Sequence, residues 1–183
     1  REGARLRLQR WRLETRTNQI HVDAFRAISD WYHFAILELT NVDGFQSDPK
    51  WIGRYLGISE FEVQLACDRL IRLGLLKSEN GHLYTTHGQD NVPDDIPSES
   101  KRNFHTQILS RAREAYVLQQ PEEREFGAEI ISIDRGQIQE AKKALRDFQH
   151  KFCRKMEGEA ARKDGLYCLS LQFFDLGHKG VNP

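Results

Sequence analysis

Residues 30–86, DWYHFAILELTNVDGFQSDPKWIGRYLGISEFEVQLACDRLIRLGLLKSENGHLYTT, carry the punctuation that decides the fold. Asp30 to Thr40 is a dense apolar run without Gly or Pro, long enough for a buried helix, to whose start Phe25 and Ile28 also belong. Asn41 to Ser47 breaks it. Asp48-Pro49 sets an N-cap before a proline at the first helical position and opens a short helix, Lys50 to Leu56. Gly57-Ile58 forms the turn. Ser59-Glu60-Phe61-Glu62 has the spacing of a capping box, so a new helix starts at Ser59. Its apolar face is Val63, Ala66, Leu70 and Leu73, and Gly74 follows as a residue able to take positive φ. Leu75 to Ser78 and Leu83 to Thr86 flank Asn80-Gly81, the strongest short-range hairpin signal. Helix, helix, turn, helix and two-stranded wing is the layout of a winged helix-turn-helix domain.

Working outward, the 183 residues divide into a basic linker helix (1–21), the winged-helix domain (22–90) and a small α/β domain (91–183), an α+β protein. The linker carries Arg1, Arg5, Arg7, Arg10, Arg12 and Arg16 against Glu2 and Glu14. Residues 87–100, with Pro93 and Pro97, read as a connection. Beyond them the pattern predicts a helix from Ser100 to about Gln120, a strand over Glu125–Ile133, a long helix from Asp134, and a strand over Leu166–Phe174. This α-β-α-β order is compatible with a right-handed β-α-β unit. Two strands are too few for a sheet alone, so we expect a homodimer through this unit, serving dimerisation or sensing.

The 27 basic and 27 acidic side chains cancel, so no global field draws the molecule toward nucleic acid or lipid. Contact with DNA must be local. On the helix from Ser59, the row opposite the apolar stripe is Glu60, Gln64, Asp68 and Arg72, with Cys67 and Arg69 beside it. The candidate nucleic-acid-binding residues are Lys50, Arg54, Ser59, Gln64, Arg69, Arg72, Lys77 and His82, a thin positive set diluted by carboxylates. Trp31, Tyr32, His33 and Trp51 are the candidate effector or partner site, with a packing role as the plainer reading. Scattered histidines, no Cys-x-x-Cys, no His-Glu-x-x-His and no Gly-rich phosphate loop argue against an enzyme, and no cofactor, metal or catalytic residue is expected. Three widely spaced cysteines, Cys67, Cys153 and Cys168, suit reduced thiols in a cytoplasm, and no apolar run is long enough for a membrane. A start at Arg1 rather than Met reads as a fragment.

The block Ser29-Asp30-Trp31-Tyr32-His33-Phe34-Ala35-Ile36-Leu37-Glu38-Leu39-Thr40 resembles the hallmark of an uncharacterised family of predicted bacterial transcriptional regulators. The likeness extends through Asp48 to Ile52, Leu56 to Ser59, the Val63 to Leu75 helix and the Gly165 to Phe174 tail, most of residues 22–176. It implies a two-part regulator, with a repressor-type helix-turn-helix domain ahead of the region represented here. DNA would then be engaged directly or through that domain. The rival expectation is an adaptor whose winged helix contacts another protein through Glu60, Gln64, Asp68 and Arg72, and a third is a sensor domain that binds a small-molecule effector.

Overall fold

The computed structural model describes residues 27–86, 98–159 and 162–177. The expected basic linker helix, Phe25 and most of the expected 87–100 connection lie outside them. The described residues form a mostly helical α+β protein with one two-stranded antiparallel hairpin. Helix α1 is Trp31–Leu39, α2 Pro49–Leu56 and α3 Glu60–Arg72; strands β1 (Leu76–Glu79) and β2 (His82–Thr85) follow. Helices α4 (Ser98–Leu118) and α5 (Ile138–Glu159) are separated by single 3-10 turns at Pro121–Glu123 and Arg135–Gln137.

The local signals act as their chemistry dictates. Asp48 accepts from the amides of Lys50 and Trp51, which would otherwise have no partner at the start of α2. Ser59 Oγ accepts from Glu62 N at 3.2 Å and the Glu62 carboxylate accepts from Ser59 N at 2.8 Å, closing the capping box of α3. Gly57 ends α2 in the left-handed region at φ 71°. At the hairpin tip Asn80 (φ 52°) and Gly81 (φ 80°) both take positive φ, the type I′ geometry whose twist matches the strands. The register pairs Glu79 with His82 and Leu76 with Thr85.

One core joins these elements. Ile36, Leu39, Ile52, Val63, Leu70 and Leu76 are fully or almost fully buried, and Ala66 and Cys67 complete the inner face of α3. Leu73, expected on that face, stays 37 % exposed, whereas Cys67, expected beside the outer row, is buried. Ile28 is buried in the core but precedes α1, because Asp30 is the N-cap and the helix begins only at Trp31. The hairpin is fastened to the loop between α1 and α2 by Leu83 N donating to Ser47 Oγ at 2.9 Å.

Helix α4 packs across the start of α1, with Phe104 edge-on to Phe34 at 5.1 Å. The chain after α5 returns to the same body: Asp43 N donates to Lys163 O at 2.7 Å, Lys163 N donates to Asp43 Oδ2 at 2.9 Å, and Leu166 packs on the core. The expected strands at 125–133 and 166–174 do not form. Among the described residues the only sheet is β1–β2, so the expected β-α-β unit is corrected to two helices joined by irregular chain. Among the described residues neither segment has a ladder partner, and a strand without a partner gains no hydrogen bonds. No helix among the described residues is long and apolar enough to cross a membrane.

Gly53, inside α2, provides a test. A Cβ there would sit 2.8 Å from the carbonyl oxygen of Ile58, in the backbone of the turn leading to α3. Alanine in a helix interior is ordinarily about 1 kcal/mol better than glycine. Here Gly53→Ala is expected to reverse that sign and destabilise by about 1–2 kcal/mol, since the turn must shift to admit the methyl. Urea unfolding of the two proteins checks it, and an alanine variant of equal or greater stability would show that α2 and the turn are not in close contact.

Candidate functional site

Seven of the eight basic or polar residues singled out for nucleic acid are exposed: Lys50, Arg54, Ser59, Gln64, Arg72, Lys77 and His82. They are not gathered into one positive surface. Lys50, Arg54 and Ser59 line an open concavity of about 670 Å3 between α2 and α3, together with Asp48, Glu60 and Glu62. Gln64 lines a second, of about 400 Å3, between α3 and the hairpin, with Cys67, Asp68, Ile71, Ser78 and Leu83. Lys77 is paired with Glu79 at 2.9 Å on the solvent side of β1. His82 lies at the hairpin beside Tyr84, ring to ring at 6.4 Å. Carboxylates stand within the Lys50–Arg54 concavity and beside Lys77, so phosphate gains little from either.

Arg69 turns inward and is withdrawn from the outer face on which the sequence placed it. Its Nη1 donates to Ala27 O at 2.9 Å and stands 3.5 Å from His33 Nε2, so the guanidinium ties α3 to the residues before α1. The outer face of α3 instead carries two large apolar groups missed by the sequence reading, Phe61 at 67 % and Leu65 at 46 % exposure. Their spacing of four places them on one helical row beside Asp68 and Arg72. The signal was present: with Val63, Ala66 and Leu70 facing the core, Phe61 and Leu65 fall on the opposite side of a 3.6-residue period.

The aromatic candidates separate into two groups. Tyr32 lies edge-on to Trp31 at 6.2 Å and stacks on His33 at 4.8 Å. Trp51 packs against Phe45 and stacks on Tyr55 at 5.2 Å, at the other end of the core. Neither concavity is lined by any of the four. Trp31 is covered by the Arg111 guanidinium, 4.5 Å above its ring, and His33 is fully buried.

Around His33 the ionisable groups Asp30, Tyr32 and Arg69 are electrostatically coupled. Burial pushes its pKa down, the Asp30 carbonyl 3.2 Å from Nδ1 opposes that shift, and Arg69 reinforces it. Burial would raise the Asp30 carboxyl, but hydrogen bonds from Gln107, Asn103 and Tyr32 outweigh it and hold the carboxyl below its usual range. The Tyr32 hydroxyl, half-buried and donating to Asp30 Oδ2, is pushed up to about 12. This constellation holds the fold together.

Comparison with known families gives one match. The chain belongs to the family described as a domain of unknown function, DUF4423, whose model matches residues 13–176. Comparison with curated proteins finds no match, and neither does comparison with solved structures.

Two expectations follow from the inward arginine and the buried histidine. Arg69→Ala is expected to destabilise by about 1.5–3 kcal/mol, the range for a hydrogen bond to a charged donor. Arg72→Ala should stay within about 0.5 kcal/mol, as for an ordinary surface change. Thermal unfolding of the pair reads the difference, and equal effects would contradict the assignment. The second concerns pH. The unfolded chain takes up a proton at His33 near 6.5, whereas burial resists that proton in the fold. Its contribution is therefore complete above that pH and declines as acid approaches the lower folded value. His33→Gln should flatten the stability profile between roughly pH 7 and 5; a variant that loses stability as steeply as the parent would contradict this.

Proposed function

We propose that this member of the DUF4423 family is the C-terminal body of a transcriptional regulator, in which a winged helix-turn-helix serves protein contact while another domain reads DNA. Three observations support the winged-helix reading. Helices α2 and α3 are joined by a tight glycine turn, α1 packs against both, and a type I′ hairpin directly follows α3. In DNA-binding members of that architecture the helix corresponding to α3 enters the major groove.

One observation carries the choice of protein over DNA: the exposed row of α3 holds Phe61 and Leu65 beside Asp68, and Arg69 is spent on the core. A base-reading helix needs hydrogen-bonding side chains at its outward positions and cations at its margins. An apolar pair rimmed by one acid and one base suits the edge of another protein. The resemblance of the Ser29–Thr40 block to predicted bacterial regulators supports the transcriptional context and implies a repressor-type helix-turn-helix ahead of this region. DNA reading then belongs to that domain, and the partner of this body positions it.

An adaptor acting outside transcription would use the same face and is a second reading favoured by the same two side chains. Titration of random duplex DNA distinguishes them. The 183-residue chain is expected to bind more weakly than about 100 μM at physiological salt, the weak end of non-specific affinity. A form extended by the upstream domain should bind tightly, with a steep dependence on salt. Micromolar binding by the chain itself, falling steeply with salt, would overturn the assignment of α3 to protein contact. Failure of the extended form to bind any duplex would favour the adaptor.

A further inference from the structure

We propose that a second copy of this chain covers its C-terminal half, with residues 126–133 and 166–174 of each copy pairing as strands across a two-fold axis and the apolar row of α5 behind them. This goes beyond the function proposed above, since it concerns a surface other than the outer face of α3, and it rests on that reading only for its biological purpose.

The two segments are rich in β-prone residues and, Leu166 and Leu169 apart, leave most of them exposed. Ile130 is 83 % exposed, Ile131 64 %, Tyr167 81 % and Phe174 71 %. Among the described residues no backbone hydrogen bond engages 125–133 or 164–176, and the only ladder is the β1–β2 hairpin. Such chain is a template for strand addition. The ends of the two segments come close together: Arg135, just past the first, lies 3.8 Å from Asp175, just past the second. Helix α5 adds Phe148 and Phe152, their rings 6.0 Å apart and both substantially exposed, with Met156 continuing the row.

Three arguments select a second copy as the occupant. With large side chains of about 150–250 Å2 each, the uncovered apolar area is on the order of 1,000 Å2 per chain, above the roughly 800 Å2 per partner of a standard stable interface. The chain is electrically neutral, so two copies approach without net repulsion. Both kinds of surface, bare strands and an apolar helical row, occur in the same chain, which lets a two-fold axis satisfy each with its counterpart. A lipid surface would cover α5, which also carries Lys142, Arg146 and Lys151, but lipid offers nothing to the amides of unpaired strands.

Sedimentation equilibrium of the 183-residue chain tests this, with Ile130→Pro and Ile131→Pro as separate variants. Successive amides of a strand point in opposite directions, so at least one proline removes a donor from the shared ladder. Among the described residues neither amide has a partner, and the variants should keep parental circular dichroism and tryptophan fluorescence. The parent is expected at twice its 21.3 kDa mass at micromolar concentration, with at least one proline weakening association tenfold or more. A parent that stays monomeric at 100 μM, on the order of a weak non-specific association, would overturn the proposal. So would a dimer unaffected by both prolines, which would place the contact on another face such as Phe61 and Leu65. Binding to anionic phosphatidylserine vesicles without self-association would assign the surface to lipid instead. A dimer that forms while the upstream-extended protein ignores DNA would preserve this inference and remove the transcriptional reading.

Discussion

Gln107 of α4 caps a helix that begins 76 residues earlier in the chain. Its Oε1 accepts from Trp31 N at 3.0 Å while its Nε2 donates to Asp30 Oδ1 at 2.8 Å. Asp30 occupies the N-cap position of α1, yet its own side chain makes no capping bond. One primary amide thus satisfies an orphan donor of the helix and a partly buried carboxylate together, and both would carry a desolvation cost without it. Asn103, one turn earlier on α4, donates to Asp30 Oδ1 as well, and Tyr32 donates to the other carboxylate oxygen.

The remaining contacts are arranged around that junction. With α4 held against the start of α1, Arg111 covers the Trp31 ring and donates to Leu56 O at the end of α2, so one side chain spans two helix termini. Cation and carbonyl are well matched there, since the C-terminus of a helix carries partial negative charge. On the opposite side, the return of the chain at Lys163 to Asp43 closes the body around α1. Glu38 lies in this closure, where burial and the nearby Glu157 both push its carboxyl upward. Fixing α4 and the residues after α5 in this way sets where the uncovered segments are displayed, and so connects the packing of the core to assembly.

Short-range chemistry was legible in the sequence. Asp48-Pro49, the Ser59–Glu62 box, Gly57, Gly74 and Asn80-Gly81 each act within a few residues of themselves, and their geometry follows from residue type alone. The periodicity also located α4 and α5 to within a few residues, and α5 starts after a single turn at Arg135–Gln137. Contacts across the chain were not legible. Nothing in the order of residues indicates that Arg69 would find Ala27 O rather than solvent, or that Gln107 would cap α1. The 125–133 and 166–174 segments show a different limit: strand propensity describes what a chain does when it has a neighbour, and a single chain provides none.

The central claim is that α1 and α4 are joined into one cooperative body through the Asp30–Gln107 pair, and a double-mutant cycle measures that directly. Asp30→Ala, Gln107→Ala and the double variant would each be unfolded in urea. A coupling of about 1–2 kcal/mol between the two sites is predicted, because Gln107→Ala removes one of three side-chain donors to Asp30 and Asp30→Ala removes one of two acceptors of Gln107 Nε2. Effects that add to within about 0.3 kcal/mol would contradict it and would reduce the contact between α1 and α4 to incidental packing.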